Sequence, residues 1–115
     1  MLPLENRLKN SSEIKKVFEG GKSARNDFLF LRFNCNNSQY SRIAFSVGLN
    51  HSKSAVKRNR TKRLLRVAAK QLLDRIKPGF DIVIYIKNVT PENVEGEKIT
   101  HCLKKALAFA KILKQ

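Results

Sequence analysis

The sequence is short of acids. Nine Asp and Glu stand against 24 Lys and Arg in 115 residues, a formal net charge of +15. Self-repulsion on that scale works against a compact fold unless an anionic partner neutralises it. The carboxylates are scattered and too few to assemble a two-metal nuclease centre. Trp is absent and there are only two His. His101 reads as a surface helix residue, and His51, beside Ser52 and Lys53, as a phosphate ligand or nothing. No Gly-rich phosphate loop or nucleophile elbow is present. Cys35 and Cys102 form no CxxC and no Cys/His cluster at metal spacing, so no metal site is expected from this chain. Both read as reduced, packed thiols of a cytoplasmic protein. The longest apolar run, residues 82–86, falls far short of the roughly 20 residues of a membrane span. Met1-Leu2-Pro3-Leu4 is too short for a signal-peptide core. With 42% hydrophobic residues and no repeat or linker, residues 1–115 form one globular domain.

What the chain has in excess is concentrated at residues 57–66, KRNRTKRLLR. No Pro or Gly interrupts residues 54–76, and Pro78-Gly79 supplies a stop, so the spacing predicts one long helix. At 100° per residue, Leu64, Leu65, Ala68, Ala69, Leu72 and Ile76 share one arc, and Asn59, Arg60, Lys62, Arg63, Arg66 and Lys70 the other. One side buries in a core; the other presents guanidinium and ammonium groups whose geometry suits phosphate oxygens. Lys57, Arg58 and, in the loop before, Lys53 extend the cationic set. A solvated charged face is the plainer reading of a charge run, but only Asp74 offsets this one.

Before that helix, residues 1–10 read as a polar, basic lead-in, and Ser11-Ser12-Glu13 as the N-cap of a short helix carrying Ile14, Val17 and Phe18. Residues 27–35 switch to period two, with Leu29, Leu31, Phe33 and Cys35 on one side and Phe28, Phe30, Arg32 and Asn34 on the other. A second strand follows at residues 42–47, and the polar turn between them suggests an antiparallel hairpin. Residues 80–87 give a third strand, and residues 97–113 a last helix. The order α-β-β-α-β-α describes an α+β, two-layer sandwich of helices on a small, mostly antiparallel sheet. Phe28, Phe30, Arg32, Arg42, Ser46, Tyr85 and Lys87 could share one sheet face. Rings interleaved with cations suit single-stranded nucleic acid, although the same rings could simply pack beneath a helix.

Arg58-Asn59-Arg60, continued as Lys62-Arg63-Leu64-Leu65-Arg66, resembles the RNR signature helix of the bacterial ribonuclease P protein family. The strand at residues 42–47, Phe18 followed by Gly21-Lys22, and Gly79-Phe80-Asp81 leading into the Ile-rich strand resemble its flanks, so the likeness spans nearly the whole chain. The resemblance implies a protein subunit, without catalytic residues, of a ribozyme that uses Mg²⁺ held mainly by its RNA to remove the 5′ leader of precursor tRNA. It implies that Lys53, Lys57, Arg58, Asn59, Arg60, Lys62, Arg63, Arg66 and Lys70 meet the ribonuclease P RNA. The leader cleft then falls on Ile14, Phe18, Lys22, Phe28, Phe30, Arg32, Arg42, Ser46, Tyr85 and Lys87. A left-handed βαβ crossover is implied too, against the usual hand. This chain departs from the family pattern at Leu49-Asn50, where a Lys pair is usual, and at Ala44, where Gly is frequent. Ile14 and Arg32 stand where aromatics are common, so stacking should yield partly to electrostatics. A ribosomal protein or RNA chaperone is the alternative that the charge allows. A membrane-surface protein would need Leu65, Ala68 and Leu72 exposed.

Overall fold

These patterns fold, in the computed structural model, as α1 (Ser11–Gly20), β1 (Lys22–Asn26), β2 (Leu29–Cys35), β3 (Arg42–Ser46), α2 (Ala55–Leu72), β4 (Phe80–Ile86) and α3 (Gly96–Phe109), with residues 2–114 described. The sheet runs β1-β2-β4-β3; β4 is antiparallel to β2 and parallel to β3. The expected hairpin between residues 27–35 and 42–47 therefore does not form. β2 instead pairs with β1 across a two-residue turn, Asp27-Phe28, with Asp27 at φ 56°. β1 adds a strand ahead of the expected order, and its only apolar residue, Ala24, leaves no alternation to read. The polar loop after β2 is a bridge to the far edge of β4, organised by Asn36. Its amide donates to Tyr40 O at 3.0 Å and to Asp81 Oδ1 at 2.9 Å, and its Oδ1 accepts from Ser38 N.

Leu29, Leu31, Phe33, Ile43, Ile82, Ile84 and Ile86 build one sheet face. It is covered by Leu65, Ala68, Ala69 and Leu72 of α2 and by Ile99, Leu103, Ala106 and Leu107 of α3. Each Leu or Ile fully buried there is worth about 1.5–3 kcal/mol, so this contact fixes how α2 is rotated. The opposite face is covered only in part. Val17 and Ile14 of α1, with Leu8, sit on Ala44 and Val83. The rest of that face stays open beside α1.

Several boundaries differ from the expected ones. Asn10, not Ser11 or Ser12, caps α1: its Oδ1 accepts from Ser12 N at 2.9 Å and Glu13 N at 3.4 Å. Gly21 ends α1 where a Cβ would meet Val17 O at 2.5 Å and Phe33 O at 2.8 Å, so only glycine permits the approach. α2, capped by Ser54, stops at Leu72; a 3₁₀ turn, Leu73–Arg75, then delivers Ile76 to a bridge with Leu113. α3 ends at Phe109 because Lys111 turns to φ 63°, and Ile112 and Leu113 fold back to be buried. The lead-in is packed rather than loose. Leu2 and Leu8 are buried, and Leu8 N donates to Ile43 O at 3.0 Å. Cys102 is buried as expected, whereas Cys35, at the end of β2, is exposed.

Candidate nucleic-acid interface

Burial of Leu65, Ala68 and Leu72 turns the opposite side of α2 outward. Lys53, Asn59, Arg63, Arg66 and Lys70 are exposed, Lys62 is half-buried, and among the described residues none of the six makes an ion pair or a side-chain hydrogen bond. The first turns are engaged differently. Lys57 Nζ lies 3.0 Å from Glu92 Oε1, Arg58 Nη1 donates to Ser52 O at 2.9 Å, and Arg60 Nη1 faces Pro91 O and Val94 O at 3.3 and 3.4 Å. The carboxyl of Glu92 is held below its ordinary range by its own backbone N–H and then by Lys57. Arg58 and Arg60 thus brace the loops on either side of the helix, while the positions from Lys62 onward stay free for an anion.

His51 belongs to the same bracing. Its Nδ1 lies 3.2 Å from Val89 O, a group that only accepts, so Nδ1 carries the proton. Nε2 lies 2.8 Å from the Thr61 hydroxyl, a hydrogen bond that satisfies a threonine with no exposed surface. The ring joins the loop after β3 to α2 and to the segment after β4.

On the open sheet face, Phe18, Tyr85 and Phe30 stand in a row, with centroids 4.9 and 5.4 Å apart. Lys87 Nζ lies 5.6 Å from the Phe30 centroid and 5.7 Å from that of Tyr85. Arg25 reaches the Phe30 ring from β1 at 5.7 Å. Arg25 was not among the expected residues; recognising the Asp27-Phe28 turn would have found it, since that register places Arg25 opposite Phe30. Arg32, half-buried in the floor, has its Nε buried without a hydrogen-bond partner. Ser46 sits at the end of β3 opposite Tyr85, and beyond them an open groove of about 860 Å³ continues past Lys87 to Asn50 and Thr90. Ile14 lies at the apolar edge of this face.

Two expected cleft residues lie elsewhere, and a third is already engaged. Phe28 occupies the turn rather than the strand, is 3% exposed in the main core, and has Lys98 Nζ 5.4 Å from its ring centroid. Lys22 pairs with Phe33 and so points to the helix-covered side of the sheet. Arg42 is on the expected face but is neutralised internally. Its Nε and Nη2 donate to Asp81 Oδ1 and Oδ2 at 2.8 and 2.7 Å, and Nη2 also meets Glu13 Oε2 at 2.6 Å. Asp81, then Glu13, hold its proton more tightly than usual. This pairing ties α1 to β3 and β4 and sets the cleft wall.

Comparison with known proteins adds an independent line. The family model described as Ribonuclease P matches residues 2–111. A ribonuclease P protein component from Pseudanabaena sp. is 38% identical over 114 residues, covering 98% of this chain and 97% of that protein. The RNase P protein of Thermotoga maritima superposes with a TM-score of 0.77 at 27% identity, over 86% of this chain and 92% of the other. For the Staphylococcus aureus RNase P protein the TM-score is 0.81 at 24% identity, over 95% and 98%, which is a likeness of fold.

Proposed function

The chain belongs to the ribonuclease P protein family, whose enzyme matures the 5′ ends of tRNA with catalysis carried in bacteria by RNA, and we propose how its two faces serve that reaction. The outward row of α2, from Lys62 to Lys70 with Lys53, Lys57, Arg58, Asn59 and Arg60 at its head, binds the ribonuclease P RNA. The Phe18-Tyr85-Phe30 row, with Arg25, Arg32, Ser46 and Lys87, receives the single-stranded leader of precursor tRNA. The observation that carries this reading is that Lys62, Arg63, Arg66 and Lys70 have no internal partner among the described residues while their helix is anchored by a buried face. The protein's part is to offset phosphate repulsion between two RNAs and to hold the leader in line.

Mg²⁺ belongs on the RNA side of this assembly. Asp81 and Glu13 are spent on Arg42, Glu92 on Lys57, and no three His, Cys, Asp or Glu among the described residues gather as a metal-binding group. The donor set of this chain does not fit such an ion.

The four free cations of α2 from Lys62 to Lys70, neutralising four phosphates, contribute about −3.5 to the slope of log affinity against log salt. Titration of the ribonuclease P RNA at several salt concentrations tests this; Arg63→Ala with Arg66→Ala should flatten the slope by about 2. A salt-independent affinity would refute the α2 assignment. Phe30→Ala should lower the preference for precursor over mature tRNA, and an unchanged preference would refute the cleft.

A further inference from the structure

The turn that closes the far ends of the two long helices gathers cations from two distant stretches of the chain. Gly96 lies beside Leu64, Thr100 beside Gln71, and Leu113 beside Ile76, so α2 and α3 run in the same direction and end together. Lys77 N donates to Ile112 O at 2.7 Å and Lys114 N to Arg75 O at 2.6 Å. Ile76, Ile112 and Leu113 are buried, while Arg75, Lys77, Lys111 and Lys114 are exposed. Among the described residues none of these four cations has an ion pair, and Asp74, the one acid in residues 73–77 and 110–114, has none either.

The negative ends of two helix dipoles favour cations here, which would account for charge alone. They do not account for the backbone of Lys111. Ile112 N donates to Leu107 O and Lys111 N to Ala108 O, both at 3.0 Å, which is a Schellman closure with Lys111 at φ 63°. Glycine fills that position with least strain. The turn gains nothing from a lysine, and the ammonium is the one thing glycine could not supply. We propose that Arg75, Lys77, Lys111 and Lys114 form a second contact for the sugar-phosphate backbone of folded RNA, carrying the cationic row of α2 around the end of the molecule. This rests on the reading of the α2 face as RNA-binding.

The test is a fourfold variant, Arg75→Ala, Lys77→Ala, Lys111→Gly and Lys114→Ala, beside Arg63→Ala with Arg66→Ala, in two titrations across salt. One uses the ribonuclease P RNA alone; the other uses precursor tRNA with the reconstituted holoenzyme. The fourfold variant should bind at least tenfold more weakly at moderate salt, with a slope shallower by about 3. Loss in the first titration assigns the contact to the ribonuclease P RNA; loss confined to the second assigns it to precursor tRNA. Parental affinity and slope in both, while the α2 variant weakens, would overturn this inference alone. Should the α2 variant also bind as the parent does, the underlying reading fails with it. Lys111→Gly by itself separates charge from folding. It should melt no lower than the parent yet lose about one unit of slope, whereas an unchanged slope counts against the contact.

Discussion

Arg42→Met isolates the internal ion-pair network that ties α1 to β3 and β4. Arg42 makes a bidentate pair with Asp81 and a shorter contact to Glu13, with the side chain of Asp81 only 11% exposed and that of Glu13 38%. Removing one partner from a buried pair costs about 3–5 kcal/mol, because the other charge is left without compensation. Two features lower that figure. Asp81 keeps a hydrogen bond from Asn36 at 2.9 Å, and the Glu13 half of the network is wet enough to count as a surface pair worth about 0–1 kcal/mol. The expected loss is about 2.5 kcal/mol, which at this chain length lowers the melting temperature by about 10 °C. Thermal unfolding followed by circular dichroism gives the number. The same variant should weaken precursor tRNA binding without changing the salt slope, because Arg42 acts by holding α1, and with it Phe18, against the sheet. A loss below about 0.5 kcal/mol would show that the network is as weak as an exposed pair and that the apolar contacts of α1 suffice.

Further outcomes follow from single positions. Gly21→Ala should cost about 2 kcal/mol or more, since both atoms its Cβ would meet are backbone, whereas Gly20→Ala, with nothing within 4 Å, should be neutral or stabilising; chemical denaturation compares them. Lys111→Gly should stabilise by about 0.5–1 kcal/mol in the same assay. Native alkylation should modify Cys35 quickly and Cys102 only on unfolding, because Cys102 is buried and burial, reinforced by Asp27, pushes its thiol above the ordinary value. That raised value favours the neutral thiol in the folded state. Its contribution is intact below the ordinary thiol value of 9.0 and is lost as pH rises through the folded value, so a Cys102→Ala variant should show a flatter decline of stability in that range.

Local properties of the chain were legible and pairings were not. The two sides of α2 could be read because helical spacing and charge asymmetry are both written within one turn. Phe30, Arg32 and Tyr85 were placed by alternation alone. The hairpin expectation failed because β4, which begins 45 positions after β2 ends and 34 after β3 ends, inserts between them, and nothing local to either strand announces it. Phe28 was misplaced by the turn whose positive φ at Asp27 interrupts the alternation that counting assumes. Lys22, placed by the family resemblance, falls instead on the helix-covered side because β1 pairs with β2. Arg42 looked like a free cation because its carboxylates lie 29 and 39 positions away. Arg25 was hidden in a strand with almost nothing apolar in it.

The order β1-β2-β4-β3 also bears on how the chain is made. Synthesis proceeds from the N-terminus, so the strand that joins both halves of the sheet leaves the ribosome after nearly everything it must unite. Until residues 80–86 emerge, β3 has only the short bridge from Arg7 and Leu8 and no strand to pair with, and the greasy stripe of α2 has only half its cover. Closure of this domain is therefore a late, cooperative event during translation, and a nascent chain halted before β4 should be digested readily by protease.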